Sequence, residues 1–342
     1  MVNIMKKASI RDVAREAGVS ITTVSRALNG YNDVSDATRK RIKEVVERLN
    51  YAPNVNARSL GGKANKVLAF LVSGLQPGGD NGFTFGMLSG LYQVTLKYDY
   101  EFILLTTNAA KQKELNYLQL CRQNNIEGVM ISGIKTNDPY YTELAKSEIP
   151  CIVVDAFVEG EYVSSISIDN VGASYEAVNY LLNAGHRNIA MVNGGSWAFV
   201  SKLRYQGYEK ALKEAGIEVN AEYVMYCDFE EEIAYHKTIE LLHKHPEITA
   251  FFCASDVMAI GVIDAINSLN KKVPDDYSVI GFDDISAAKY VNGGLTTIHQ
   301  EPYEIGINAG EALIQMINNK TKSSNIIVPY IFQERNTVKR IK

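Results

Sequence analysis

The side chains with the most chemistry lie at or near the ends of short apolar runs. Asp155 ends Ile-Val-Val-Asp, and Asp283 follows Val-Ile-Gly-Phe. Ser132, Ser255-Asp256 and Ser73 stand at similar places, and Arg204 lies in a helical stretch of the second half. Phe83, Trp197 and Phe229 supply flat apolar faces. A guanidinium is a planar fork of donors, a carboxylate accepts hydroxyl protons, and an aromatic face packs on the CH face of a pyranose. The set therefore suits a neutral polyhydroxylated ring. A phosphorylated sugar would want more positive charge than one arginine beside two or more acids. Plainer readings exist: Asp155 and Asp283 would also serve as helix caps, and Trp197 as a core aromatic.

A second group implies different chemistry. Residues 10–30 read IRDVAREAGVSITTVSRALNG. Ser9 is an N-cap with Asp12 three residues later, and Ile10, Val13, Ala14 and Ala17 share one helical face. Gly18 suits a positive φ, and Ser20 caps a second helix from Ile21 to Leu28. Val24, Ala27 and Leu28 turn inward, leaving Ile21, Thr22, Ser25, Arg26 and Asn29 outside. Ser35 opens a third helix with Ile42, Val45, Val46 and Leu49 inward and Arg39, Lys40, Arg41 and Lys43 outward. Two short helices around a tight turn have the order of a helix-turn-helix, whose target is duplex DNA. On that reading Ile21, Thr22 and Arg26 face base edges: Ile21 a thymine methyl, Arg26 a guanine. Ser9, Ser20, Thr23, Ser25, Asn29, Thr38 and Arg39 lie near the backbone phosphates.

Both groups need elements to hold them. After the third helix, Pro53 and Asn54 restart a helix of about seven residues before Gly61-Gly62. That is too short to be stable alone in water. It would order when two copies pack together on DNA, or serve as a plain linker. From Lys66 onward short β-rich runs (67–72, 102–106, 128–132, 151–155) alternate with helical segments (84–98, 111–124, 138–146). A second series follows, with strands at 165–168, 189–193, 223–227, 250–253 and 279–281. Its helices are expected at 170–184, 198–215, 230–244, 255–268 and 302–319. Alternation of this kind means parallel sheets with covering helices, and a ligand crevice beyond the strands' carboxyl ends.

Length and charge agree with such a division. The 342 residues are too many for one ordinary core, and 46% hydrophobic with 22% charged residues is a globular composition. Residues 1–66 carry thirteen lysines and arginines against six acids, whereas the whole chain has a net charge of −4. A basic head on an acidic body docks a polyanion by one end. Cys121, Cys151, Cys227 and Cys253 are scattered, without the spacing of a disulfide framework or zinc site. No signal-like or membrane-length apolar run is visible, so a cytoplasmic protein without membrane contact is expected. P-loop, nucleophile-elbow and HExxH patterns are absent, and the five histidines are dispersed. No cofactor, metal or catalytic role is expected. No leucine heptad closes the chain, so a homodimer is expected.

AREAGVSITTVSRALNG and VSDATRKRIKEVVERLNYAPNVNARSL resemble the head of the lactose-repressor/galactose-repressor (LacI/GalR) family of bacterial regulators. The likeness continues along the chain. It implies an all-α helix-turn-helix head and a bilobed α/β body like a periplasmic binding protein, with parallel sheets. The head would span 1–53, the hinge helix and linker 54–62, and the body 63–342. Lobe one would hold about 66–161 and 293–325, and lobe two about 162–292 and 326–342. The resemblance also implies a hinge helix that enters the minor groove as a pair: Asn54 starts it, Ala57 lets the two copies approach, and Leu60 is the wedge. In the body it implies that Arg204 binds the effector, Asp283 accepts from its hydroxyls, Asp155 touches it from lobe one, and Phe229 stacks on it. Residues 81–84 depart from the usual Asn-Pro-Phe-Phe corner, and Ser255 stands where an asparagine is usual. The implied function is a DNA-binding regulator, a repressor in the commoner case, with operator DNA, a sugar effector and a second copy as partners. The alternative is a sugar-binding protein or carbohydrate enzyme carrying a DNA-binding head.

Overall fold

The computed structural model describes residues 8–28, 31, 33–49, 51, 66–75, 81–319 and 324–341. Asn29, Asn54, Ala57 and Leu60, and with them the hinge expectation, lie outside the described residues. The chain divides into two compact units, 1–65 and 66–342.

Among the described residues the first unit has three helices: α1 (Ile10–Ala17), α2 (Ile21–Leu28) and α3 (Asp36–Arg48). Ser9 and Asp12 form the expected capping box: the Asp12 amide donates to Ser9 Oγ, and the Ser9 amide donates to Asp12 Oδ2 at 3.0 Å. The Ser9 hydroxyl, which donates to Asp12 Oδ2 at 2.6 Å, and then the Ser9 amide hold the Asp12 carboxyl below its ordinary range. Gly18 ends α1 at φ 65, where a β-carbon would strain the backbone. Ser20 Oγ then accepts from the Thr23 amide at 3.0 Å, and Ser35 Oγ from the Thr38 amide. Val13, Ala14, Ala17, Val24, Ala27, Val34, Ile42 and Val45 form the core, with Leu28, Val46 and Leu49 packed partly against it.

Among the described residues the second unit contains three sheets. The strands of the first are β1 (Val67–Ser73), β2 (Glu101–Thr107), β3 (Gly128–Ser132), β4 (Cys151–Val154), β5 (Val163–Ile168) and β11 (Asn325–Val328). They are all parallel, in the order β11-β5-β4-β3-β1-β2. The second is a parallel sheet in the order β7 (Val224–Tyr226), β6 (Ile189–Asn193), β8 (Ala250–Cys253), β9 (Ser278–Ile280). The short antiparallel pair β10 (Thr297–His299) and β12 (Ile331–Gln333) forms the third. Strand β1 shows why both faces of the first sheet are covered. Leu68, Phe70 and Val72 join one buried cluster, and Val67, Ala69 and Leu71 join the other. That alternation is the period-two geometry of a strand with cores on both sides.

The helices of this unit are α4 (Asn81–Tyr98), α5 (Ala109–Glu114), α6 (Tyr117–Gln123), α7 (Pro139–Leu144), α8 (Asn170–Asn183), α9 (Phe199–Glu214), α10 (Glu231–Lys244), α11 (Asp256–Ser268) and α12 (Pro302–Asn319). Among them α4 packs on α12, α8 on α9, and α10 on α11.

The structure differs from the sequence pattern in several places, one of them the helix at 302–319, counted with the second series, which packs on α4 and the first sheet. The pattern groups the strand at 165–168 with the second series, and the family resemblance implies that the first stretch of lobe one ends near 161. Residues Val163–Ile168 instead pair between β4 and β11, so the chain leaves the first sheet after Ile168. Their backbone is bonded on both sides, and a run of apolar residues does not say which sheet receives it. The single helix expected over 111–124 is two, because Asn116 caps a fresh start by accepting from the Gln119 amide at 2.8 Å. Among the described residues no helix is long and apolar enough to cross a membrane. All four cysteines are free and buried, and burial pushes the Cys121 thiol up to about 12 and Cys227 to about 11. His186 lies just past a helix end, but it is buried and bridges Thr249 Oγ1 and the Lys339 carbonyl, and burial lowers its pKa.

Candidate functional site

The carboxyl ends of the two parallel sheets open onto one cleft of about 360 Å³. Seven of the ten side chains singled out from the sequence line it: Phe83, Ser132, Asp155, Arg204, Phe229, Ser255 and Asp283. Strand β3 ends in Ser132, and β4 delivers Asp155. Asp283 follows β9, and Ser255 follows β8. Asp155 and Asp283 take positive φ values of 56 and 108, unusual for a residue with a β-carbon, and strain of this kind collects at ligand sites.

Arg204 is 3% exposed and is held on every side. Its Nε donates to Asn170 Oδ1 at 2.9 Å, and Nη1 to the Ala254 carbonyl at 2.5 Å. Nη2 lies 3.9 Å from Asp283 Oδ1, and the guanidinium stacks 3.7 Å over the Phe282 ring. Burial lowers its pKa, opposed by the charges of Asp283, Asp155 and Asp256. A relay continues from it. Asn170 Nδ2 donates to Ser167 Oγ at 2.9 Å, and Ser167 Oγ donates to Asp155 Oδ1 at 2.5 Å. Burial raises the Asp155 carboxyl, while the Ser167 bond and Arg204 pull it down. The arginine and both acids are thus oriented before any ligand arrives, which reduces the ordering cost of binding.

Sequence reasoning missed Gln300. Its Nε2 donates to Asp283 Oδ1 at 2.7 Å. Its Oε1 is buried and has no hydrogen-bond partner among the described residues. A buried orphan acceptor costs stability unless something donates to it, and this one lines the cleft. The strand-end rule would have found Gln300 had Thr297–His299 been read as a strand. Asn170 was missed because its role depends on neighbours distant in sequence, whereas Phe199, in the stretch 196–199 that the sequence offers as a ligand candidate, does line the cleft.

Other candidates have structural duties. Ser255 lines the cleft but also caps α11, accepting from the Met258 amide at 3.2 Å. Ser73 is tied to Asp138 and Gln112 in a buried network. Asp284 pairs with Arg335 at 2.6 Å and with His299. Asp256 is fully buried, accepting from Thr297 Oγ1 at 2.6 Å and from the Ile285 amide at 2.9 Å. Trp197, like Ser73 and Asp256, stands outside the cleft lining. It lies beside Phe229, with ring centroids 6.2 Å apart, and donates to Asp228 Oδ1 at 3.2 Å.

In the first unit Ser9, Ser20, Ile21, Thr22 and Arg26 are exposed, whereas Thr23, Ser25 and Thr38 are half-buried. Arg26 pairs with Asp33 at 2.7 Å and lies over Tyr31. Arg39 is turned inward: Nη1 donates to the Ala27 carbonyl at 2.9 Å and Nη2 to the Tyr31 carbonyl at 2.8 Å. Its first role is therefore to terminate α2.

Similarity to known proteins runs along both units. Residues 9–54 match the model of bacterial regulatory proteins of the lacI family. Residues 66–336 match the periplasmic binding proteins and sugar binding domain of the LacI family. The HTH-type transcriptional repressor PurR of Histophilus somni (strain 2336) is 32% identical over 324 residues, covering 94% of this chain and 96% of its own length. Catabolite control protein A of Priestia megaterium is 32% identical over 333 residues, 97% of this chain and 99% of that protein. Among solved structures, the Lac repressor dimer bound to operator and the anti-inducer ONPF is similar at 25% identity and a TM-score of 0.82, over 98% of this chain and 100% of that one. A complex of the transcriptional regulator CelR with cellobiose is similar at 27% identity and a TM-score of 0.72, over 96% and 99%. The helical head, the paired parallel sheets and these likenesses converge: the chain belongs to the LacI family of DNA-binding transcriptional regulators.

Proposed function

We propose that this regulator is a homodimeric repressor whose grip on its operator is set by a neutral sugar held between the two sheets. The observation that carries the reading is the cleft itself. One oriented guanidinium, two carboxylates and the Gln300 side chain line a space walled by Phe83, Phe199 and Phe229. Donors and acceptors are both on offer, and acids outnumber the single arginine, so hydroxyls are favoured over phosphate. The cellobiose-bound relative supports the ligand class, and the operator-bound dimer supports the partner and the assembly. An exposed apolar face on α4, with Phe85, Tyr92 and Leu96, agrees with pairing of two bodies.

In this reading the head occupies 1–53, the hinge 54–62 and the body 63–342. Ile21, Thr22 and Arg26 read bases; Ser9, Ser20, Thr23, Ser25, Asn29, Thr38 and Arg39 contact the backbone. The hinge contributes Asn54, Ala57 and Leu60. Arg26 leaves Asp33 to reach a guanine. Phe83, Ser132, Asp155, Arg204, Phe229, Ser255 and Asp283 hold the sugar, with Gln300 added to them and Trp197 outside the contact. A ligand that prefers one arrangement of the sheets shifts the spacing of the two hinges and releases DNA.

The test is a thermal-shift screen with neutral mono- and disaccharides, followed by operator binding with each hit. A sugar that raises Tm and weakens operator binding is expected. Arg204→Ala should lose that response while still binding operator. No shift with any sugar, or an intact response in Arg204→Ala, would reject the assignment of the cleft.

A further inference from the structure

The residue type of Trp197 suits ligand contact, yet its surroundings point elsewhere. The loop after β6, residues 194–199, belongs to the second sheet's side of the cleft. Two of its side chains are seated on the first sheet's side. Lys135, in the loop after β3, places Nζ 4.1 Å from the centre of the Trp197 ring. Phe199, the first residue of α9, packs against the buried cluster of the first sheet that includes Leu71, Ile134 and Val153. The loop is also built to hold this shape. At Gly194 a β-carbon would collide with the Phe229 ring, and at Gly195 with Trp197 and Asp228. Asp228 fixes the indole N–H, and its own φ of 51 aims it there.

We propose that residues 194–199 form a clasp that holds the two sheets' lobes in their closed arrangement, with Trp197 under Lys135 and Phe199 against the first lobe's core as its two contacts. A cation over an indole is among the stronger contacts of its kind, and apolar burial of a phenylalanine adds to it. Both contacts exist only when the lobes are near, so each stabilises closure relative to opening. Phe229 belongs to both the cleft lining and the clasp, through its edge contact with Trp197. A molecule pressing on Phe229 therefore acts on the clasp directly. The clasp itself does not depend on the identity of any ligand.

The chain has one tryptophan, so its fluorescence reports Trp197 alone. The experiment uses the full-length protein without added ligand and compares wild type, Lys135→Ala, Lys135→Arg, Phe199→Ala and, as a control, Lys202→Ala, an exposed lysine on the same helix. Two quantities are read: acrylamide quenching of Trp197, and hydrogen exchange of the cleft peptides 254–258 and 298–301, which are remote in sequence from the clasp. Lys135→Ala and Phe199→Ala should each raise quenching about twofold and speed exchange at the remote peptides about threefold. Lys135→Arg and the control should match wild type. A change in quenching without a change in exchange at 254–258 and 298–301 would confine the contact to the surface and overturn the proposal. So would a change in exchange alone, or in neither. Lys135→Ala alters a partly exposed side chain, so the comparison holds even if Phe199→Ala fails to fold.

Discussion

Arg204 and Asp256 show two ways in which an ionisable group is tolerated in the interior of the second unit. Arg204 keeps its charge because Asn170, the Ala254 carbonyl, Asp283 and the Phe282 face surround it. Asp256 has no cation in contact. Burial first, and then the charge of Asp283, push its carboxyl well above the ordinary range. The native state therefore retains a proton that the unfolded chain releases near pH ~4. The stability linked to that proton is complete below that pH and is lost as pH rises through the elevated folded value. Asp256→Asn keeps the shape, with its carbonyl accepting from the Ile285 amide and its NH2 donating to Thr297 Oγ1. Its stability, measured by urea unfolding between pH ~5 and ~9, should fall less steeply with pH than that of wild type. Equal slopes would mean that Asp256 is ionised in the native protein.

At the scale of elements, α2 illustrates how a short helix is made to stand. It has eight residues, too few to persist alone. Ser20 satisfies an amide at its start, and Arg39, carried by α3, satisfies carbonyls at and just beyond its end. The inward turn of Arg39 binds α2 to α3 as well as capping it. Arg39→Ala should lower the stability of the head by about 1 kcal/mol, the typical net value of such bonds. Thermal unfolding followed by the head's helical signal would measure it. An unchanged head with weaker operator binding would restore Arg39 to the role of a phosphate contact alone.

At the scale of the whole molecule, charge and function are separated along the chain. Residues 1–66 are strongly basic, whereas the protein as a whole is acidic, with a pI near 5.8. Operator affinity should therefore fall steeply with salt, by about 10³-fold or more between roughly 50 and 200 mM for six or more phosphate contacts. A flat dependence in an electrophoretic or anisotropy titration would argue against phosphate docking by the head. Leu60→Ala should weaken operator binding about tenfold or more while the head stays folded, as expected for a lost minor-groove wedge. Unchanged affinity would remove the hinge from the mechanism.

Local chemistry alone was enough for the head. Caps, the turn glycine and the 3.6-residue period act within a few residues, so Ser9, Gly18, Ser20 and Ser35 announced the three helices where they occur. Most of the cleft was legible for a related reason: parallel strands put their carboxyl ends on one edge, so Ser132, Asp155, Ser255 and Asp283 followed from strand order. What remained hidden depends on partners far away in the chain. The pairing of β5 with β4 and β11, the inward turn of Arg39 and the seat of Trp197 beneath Lys135 are contacts between residues from eight to 160 positions apart, and the orphan oxygen of Gln300 shows only in the packed chain. Periodicity carries no information about such contacts, because hydrophobic burial is non-directional and only the packed chain decides which surfaces meet.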